Sequence, residues 1–174
     1  MTNLSQKQKI KIADLFQKKK FLDLEFEIES ISNFKTRSAF LANLLGVVKL
    51  KKISHSKEDF EKARELFKDS YEKDPNYIDA LCNLGHVSLK LRNFNYVFKE
   101  LKRFQKIKGY DKRIYETLAR IFFFNGQIDD ALKLFKEMTE KNDLSQDSSA
   151  HFLTSLNYSS DFSQTEYLDY CKKI

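Results

Sequence analysis

One proline and four glycines stand among 174 residues, and there is no tryptophan. So few chain breakers, beside many Lys, Leu, Phe and Glu, favour helix throughout. Runs of β-branched residues alternating at period two are also missing, so no sheet is expected. Cysteine is scarce. Cys82 and Cys171 are far apart in the chain, which excludes a disulfide framework and fits a reduced, cytoplasmic protein. Long apolar runs are lacking too. The longest lies around Ile121–Phe124, too short to span a membrane. The first residues, MTNLSQKQKIKIADLF, carry charge where a secretory signal needs its apolar stretch.

What is present is apolar bulk and a mild positive charge. Sixteen phenylalanines and 41% apolar residues are enough to bury a core. Lys+Arg number 31 against 25 Asp+Glu, a net charge of +6 spread over a long surface. Solvated helix faces account for that excess more simply than a nucleic-acid footprint does.

A 34-residue period organises the chain. Ala63, Val97 and Ala131 stand 34 residues apart, as do Phe67, Leu101 and Phe135, and Ser70, Phe104 and Met138. Gly85 and Ala119 keep the same step, while Gly46 stands 39 before Gly85, which puts about five extra residues in the loop Ile53–Glu58. This period is the signature of tetratricopeptide repeats, pairs of antiparallel helices stacked into a solenoid. The expected fold is all-α, a right-handed superhelical solenoid of about ten helices. The expected layout is a degenerate N-terminal capping repeat over 1–38, three repeats over 39–77, 78–111 and 112–145, and a C-terminal cap and junction over 146–174.

Counted from Ala39, Ile78 and Lys112, small or apolar residues recur at positions 4, 7, 8 and 11 of the first helix and at 20, 24 and 27 of the second. These offsets mark one face of an amphipathic helix. Position 8 is small (Gly46, Gly85, Ala119), because the helices of a hairpin cross closely there. Position 17 (Phe60, Phe94, Ile128) is expected to open the second helix. Asn125-Gly126 forms a turn, with Gly supplying positive φ. In the first repeat, Gln6–Lys20 and Phe21–Asn33 make a hairpin whose position 8, Ile12, breaks the small-residue rule. Near the other end, Ser148–Asn157 forms a helix whose Ala150, Phe152, Leu153 and Leu156 close the core. The stretch from Tyr158 to Ser163 then breaks it. A last helix, Thr165–Lys173, starts from an N-cap at Ser163 or Thr165.

The tail HFLTSLNYSSDFSQTEYLDYCKKI resembles the junction in O-linked N-acetylglucosamine transferases and SPINDLY-type enzymes. There a leucine-rich helix, Leu-Asn-Tyr, an Asp-containing turn and a second helix open the catalytic region. Leu156, Asn157, Tyr158, Asp161, Ser163 and Glu166 match this layout, and Asp79–Gly85 resembles the repeats of these enzymes. The resemblance implies a repeat arm that holds protein substrates for a glycosyltransferase. It also implies an asparagine ladder at position 6, of which only Asn83 is a rung here, since Leu44, Thr117 and His151 replace the others. The sugar-nucleotide domain would follow Ile174.

Candidate chemistry is thin. Cys82 and His86 share a helix face at metal-ligand spacing, yet no third ligand has a matching offset, so no metal is expected. His55 and His151 have no adjacent nucleophile pattern, and no phosphate loop, paired carboxylates or metalloprotease motif occurs. No catalytic residue, cofactor or metal is assigned, and a stand-alone enzyme ranks lowest. The expected function is a non-catalytic protein-interaction module whose concave groove binds extended peptide. The groove residues are Asn83, His86, Lys90, Arg113, Glu116, Arg120, Phe123 and Phe124. Arg113 and Arg120 lack the Lys and Asn partners of a carboxylate clamp, so a chaperone-tail receptor is not expected. The alternative is a basic helical-repeat module that binds nucleic acid through Lys7, Lys9, Lys11, Lys18, Lys19 and Lys20.

Overall fold

The computed structural model describes residues 4–33, 35–51, 56–159 and 163–173. Among these residues there are ten helices and no strand. They are α1 (Gln6–Gln17), α2 (Phe21–Ile31), α3 (Ala39–Lys49), α4 (Lys57–Lys73), α5 (Ile78–Lys90), α6 (Asn95–Lys108), α7 (Lys112–Phe124), α8 (Ile128–Glu140), α9 (Gln146–Tyr158) and α10 (Gln164–Lys173). The chain divides into two compact units, Met1–Arg92 and Asn93–Ile174. The division falls between the two helices of the repeat 78–111.

Local chemistry sets the helix ends. Ser5 accepts from the amide of Gln8 while the Gln8 side chain accepts from the Ser5 amide, a reciprocal cap that satisfies two orphan donors. Ser56 and Asp59 form the same device at α4. Ser38, Asp111 and Ser145 cap α3, α7 and α9 with their side chains. Ser163 caps α10, with Glu166 returning the bond to its amide. Gly126 takes φ 77°, as the Asn125-Gly126 turn requires. Lys19, Arg92 and Asn142 also take positive φ, although only the asparagine favours it.

Some details differ from expectation: α1 ends at Gln17, α2 at Ile31, and α9 runs Gln146–Tyr158. Helix α4 opens at Lys57, not at Phe60, because the Ser56–Asp59 cap starts it one turn earlier. The insertion is therefore shorter on that side, and residues 52–55 lie outside the described part. Ala150 is exposed and takes no part in the core, where Phe152 and Leu156 are buried and Leu153 is half-buried. Residues 160–162, including the junction's Asp161, also lie outside the described part.

In the first unit, consecutive helices pack pairwise from α1 to α5. Ile12, Leu24, Ile28, Leu41, Leu45 and Val48 form one buried cluster. Gly46 is small for a visible reason: a Cβ placed there would stand 2.6 Å from Cε1 of Phe67, a ring that is 1% exposed. Repeat one tolerates Ile12 at the equivalent position because its position 24 holds Ile28, smaller than Phe67. The Ser70 hydroxyl donates to the Ala39 carbonyl at 2.7 Å, tying the end of α4 to the start of α3.

In the second unit, α6 through α10 also pack in chain order, and α9 touches α7 as well. Leu101, Leu118, Phe135 and Phe152 are fully buried. The Phe135 and Phe152 rings lie 5.8 Å apart, and Tyr170 of α10 meets Phe152 edge-on at 5.0 Å. The Tyr110 hydroxyl donates to Asp143 at 2.9 Å, and Lys112 pairs with the same carboxylate at 3.1 Å. Burial first, and the neighbouring Asp143 second, push the Tyr110 phenol far above its ordinary value of 10.0. A neutral phenol held by the fold contributes stability below pH 10 that is lost as pH rises through its folded value. Ultraviolet titration should therefore show a late tyrosine step, and Tyr110→Phe should remove its latest part. A titration unchanged by the substitution rejects this contact.

Candidate functional site

The helices α1 and α3 are the first helices of repeats one and two. Positions 2, 5, 6, 9, 12 and 13 of such helices are the ones expected to face the groove. An apolar cleft of about 460 Å³ is lined there by Leu4, Lys9, Ile12, Ala13 and Phe16 on one side and by Phe40 and Leu44 on the other. Phe16 is 40% exposed and Phe40 is 50% exposed, so both leave apolar surface open to solvent in the cleft. Among the described residues, Lys9 alone brings charge to the lining. The other cap lysines divide: Lys11 pairs with Glu27 at 2.5 Å and Lys18 with Asp14 at 2.9 Å. Those two contacts neutralise part of the basic stripe that a nucleic-acid face needs.

Asn83 lies on α5 in the same unit. Its side-chain amide donates to Asn43 Oδ1 at 2.9 Å, and Asn43 donates to the Tyr77 hydroxyl at 3.2 Å. Asn43 is buried and Asn83 half-buried. Burial raises the Tyr77 phenol, against the pull of the Asn43 bond. Asn43, at position 5 of α3, is not among the expected groove residues, which all stand on α5 and α7. His86 and Lys90 are exposed farther along α5.

The remaining expected residues stand on α7, in the second unit. Arg113 is exposed and forks onto Asp111, with Nη2 to Oδ2 at 3.0 Å and Nε to Oδ1 at 3.3 Å. Burial is the largest single effect and raises the Asp111 carboxyl, but the Arg113 bond and charge together with the Ile114 and Arg113 amides hold it below its ordinary value. Glu116 accepts from the Ser145 amide at 3.3 Å and from the Ser148 hydroxyl at 3.1 Å. A carboxylate at the start of a helix also meets its positive end. Glu116 thus anchors α9 to α7. Arg120 is half-buried, and its Nε has no partner among the described residues. Phe123 and Phe124 meet each other at 5.3 Å and meet His151 of α9 at 5.3 and 5.5 Å. Phe123 is half-buried, while Phe124 stays 60% exposed. Thr117 turns inward and donates to the Arg113 carbonyl. Within the second unit, Arg120, Phe123 and Phe124 are thus α7 side chains open to a ligand, while Arg113 and Glu116 are already paired.

Comparison with known proteins places this geometry. The solved structure of YrrB, described as a TPR protein with an unusual peptide-binding site, is 17% identical and superposes with a TM-score of 0.66 over 93% of this chain and 80% of that one. The fold is a tetratricopeptide-repeat fold. MamA 41-end from Desulfovibrio magneticus RS-1 is 13% identical, with a TM-score of 0.76 over 98% of this chain and 94% of that one. MamA AMB-1 is 14% identical, with a TM-score of 0.68 over 95% and 94%. No family model and no curated protein sequence matches the chain. Among the described residues, no group of three His, Cys, Asp or Glu is placed to hold a metal. No helix there is long and apolar enough to cross a membrane.

Proposed function

We propose that this chain is a non-catalytic protein-interaction module that holds extended peptide along the faces of its first helices. The observation that carries the proposal is the apolar cleft between α1 and α3. Five of its seven lining residues, Lys9, Ala13, Phe16, Phe40 and Leu44, stand at expected ligand-face positions, and two of its rings are left open to solvent. An apolar side chain of the peptide fills the cleft, while Lys9 at its edge favours an acidic neighbour. Asn83 offers an amide to the peptide backbone. In the second unit, Arg113 and Arg120 supply charge and Phe123 and Phe124 an apolar contact. YrrB, a repeat protein named for its peptide-binding site, supports this reading through the shared fold. The tail from Leu156 to Glu166 extends it to the repeat arm of a protein O-glycosyltransferase-like enzyme working in the cytoplasm. The support for that step is the resemblance of those residues alone, with the Ser163–Glu166 cap opening α10 as the resemblance implies.

Selection of a random peptide library on the whole chain tests the proposal. Leu44→Asp should weaken the selected peptides by roughly tenfold to a hundredfold, the equivalent of losing one buried side chain. The control is Leu22→Asp, at a residue 74% exposed on α2, which should change nothing. Equal affinity for both variants rejects the cleft as the working surface.

A further inference from the structure

A second cleft, of about 900 Å³, opens between the segment that leads into α3 and the end of α4, and its chemistry is opposite to that of the first. Arg37 lies in its wall, only 9% exposed, and its Nε is buried with no partner among the described residues. A buried N–H donor in that state is costly, since it forfeits its hydrogen bond to water. Lys35 and Lys73 line the same cleft, and so do Ala39 and Phe40, the first two residues of α3. The Ser38 cap takes the Leu41 amide, so its side chain leaves the first two amides of α3 to other acceptors. The opposing charge is modest. Asp74 also lines the cleft but accepts from the Asn76 amide, and Lys73 pairs with Asp69 at 2.7 Å.

We propose that this cleft is a phosphoryl-binding site. A buried guanidinium, two lysines and a helix N-terminus converge on one space, and a phosphoryl group has the charge and the three acceptor oxygens to meet them together. The occupant is a phosphorylated residue of a peptide. Phe40 lines both clefts, so a peptide whose apolar side chain fills the first carries its phosphate into the second. The identity of the occupant rests on the peptide-binding reading above; the anion site itself does not.

Titration of the whole chain, followed by amide and guanidinium NMR signals, tests both steps separately. Inorganic phosphate, against chloride at equal ionic strength, should shift Arg37 Nε–H and the Ala39 and Phe40 amides saturably. Arg37→Met should abolish the effect, and Lys35→Ala should weaken it severalfold, with the salt dependence reduced. If Arg37→Met fails to fold, Lys35→Ala and Lys73→Ala decide the matter on exposed side chains. Absence of saturable shifts, or unchanged affinity in both lysine variants, overturns the site. A phosphoserine form of a library-selected peptide should bind at least tenfold tighter than its serine form and tighter than free phosphate. If phosphate alone binds as well as the phosphopeptide, the anion site stands and the peptide occupant is wrong.

Discussion

Gly46→Ala should destabilise the first unit even though alanine is the better helix former. The substitution gains about 0.8–1.0 kcal/mol of helix propensity. It also places a Cβ 2.6 Å from Cε1, and 2.9 Å from Cδ1 and Cζ, of Phe67. That ring is fully enclosed, so it cannot swing away, and the backbones must part. Overpacking of this kind costs roughly 1–3 kcal/mol and outweighs the propensity gain. Gly46→Leu adds three more carbons at the same point and should unfold the unit or lower its midpoint well beyond the alanine variant. Lys90→Leu, on the exposed last turn of α5, is the control and should sit near the parent. Thermal midpoints followed by circular dichroism decide. A Gly46→Leu midpoint equal to that of Lys90→Leu would show that the hairpin does not cross at position 8.

Phe135→Ala should be the most damaging substitution in the second unit. Phe135 is fully buried on α8 and stacks on Phe152 of α9, also fully buried, with centroids 5.8 Å apart. Removing the ring leaves a cavity that two rigid helices cannot close. The expected cost is about 3–5 kcal/mol. Phe26→Ala removes the same atoms from a ring 75% exposed on α2, and should change stability by less than about 0.5 kcal/mol. Urea unfolding of the two variants measures the difference. Equal midpoints would show that the 24th position of each repeat carries no core.

The contrast between these phenylalanines shows what the residue order reveals. Helix faces were legible because a period of 34 and offsets of 3, 4 and 7 follow from helix geometry alone. Gly46, Phe67, Leu101, Phe135 and Phe122 fell where that geometry put them. Capping was only partly legible. Ser163 stood out as a cap, whereas the Ser56–Asp59 pair was hidden inside an insertion with no counterpart in the other repeats. Positive φ at Lys19 and Arg92 left no trace, because neither residue type prefers it.

The site was less legible than the fold. Glu116 looked like a ligand-face residue, yet its role depends on Ser145 and Ser148, about one repeat downstream, which no periodicity connects to it. Asn43 was not among the expected groove residues, which all stand on α5 and α7. The apolar cleft was missed because the first repeat was assigned a capping role alone. Phe16 and Phe40 were legible as apolar, but their exposure in the cleft depends on how far apart α1 and α3 stand. Arg37 carried no signal either: a lone arginine before a helix looks solvated until its burial is known.

The most direct test of the account is an NMR map of the whole chain bound to a library-selected peptide. The account predicts the largest amide shifts at Lys9, Ala13, Phe16, Phe40 and Leu44, on the facing sides of α1 and α3, and their loss in Leu44→Asp. Shifts confined to the outer faces of α2 and α4, with α1 and α3 unmoved, would contradict it.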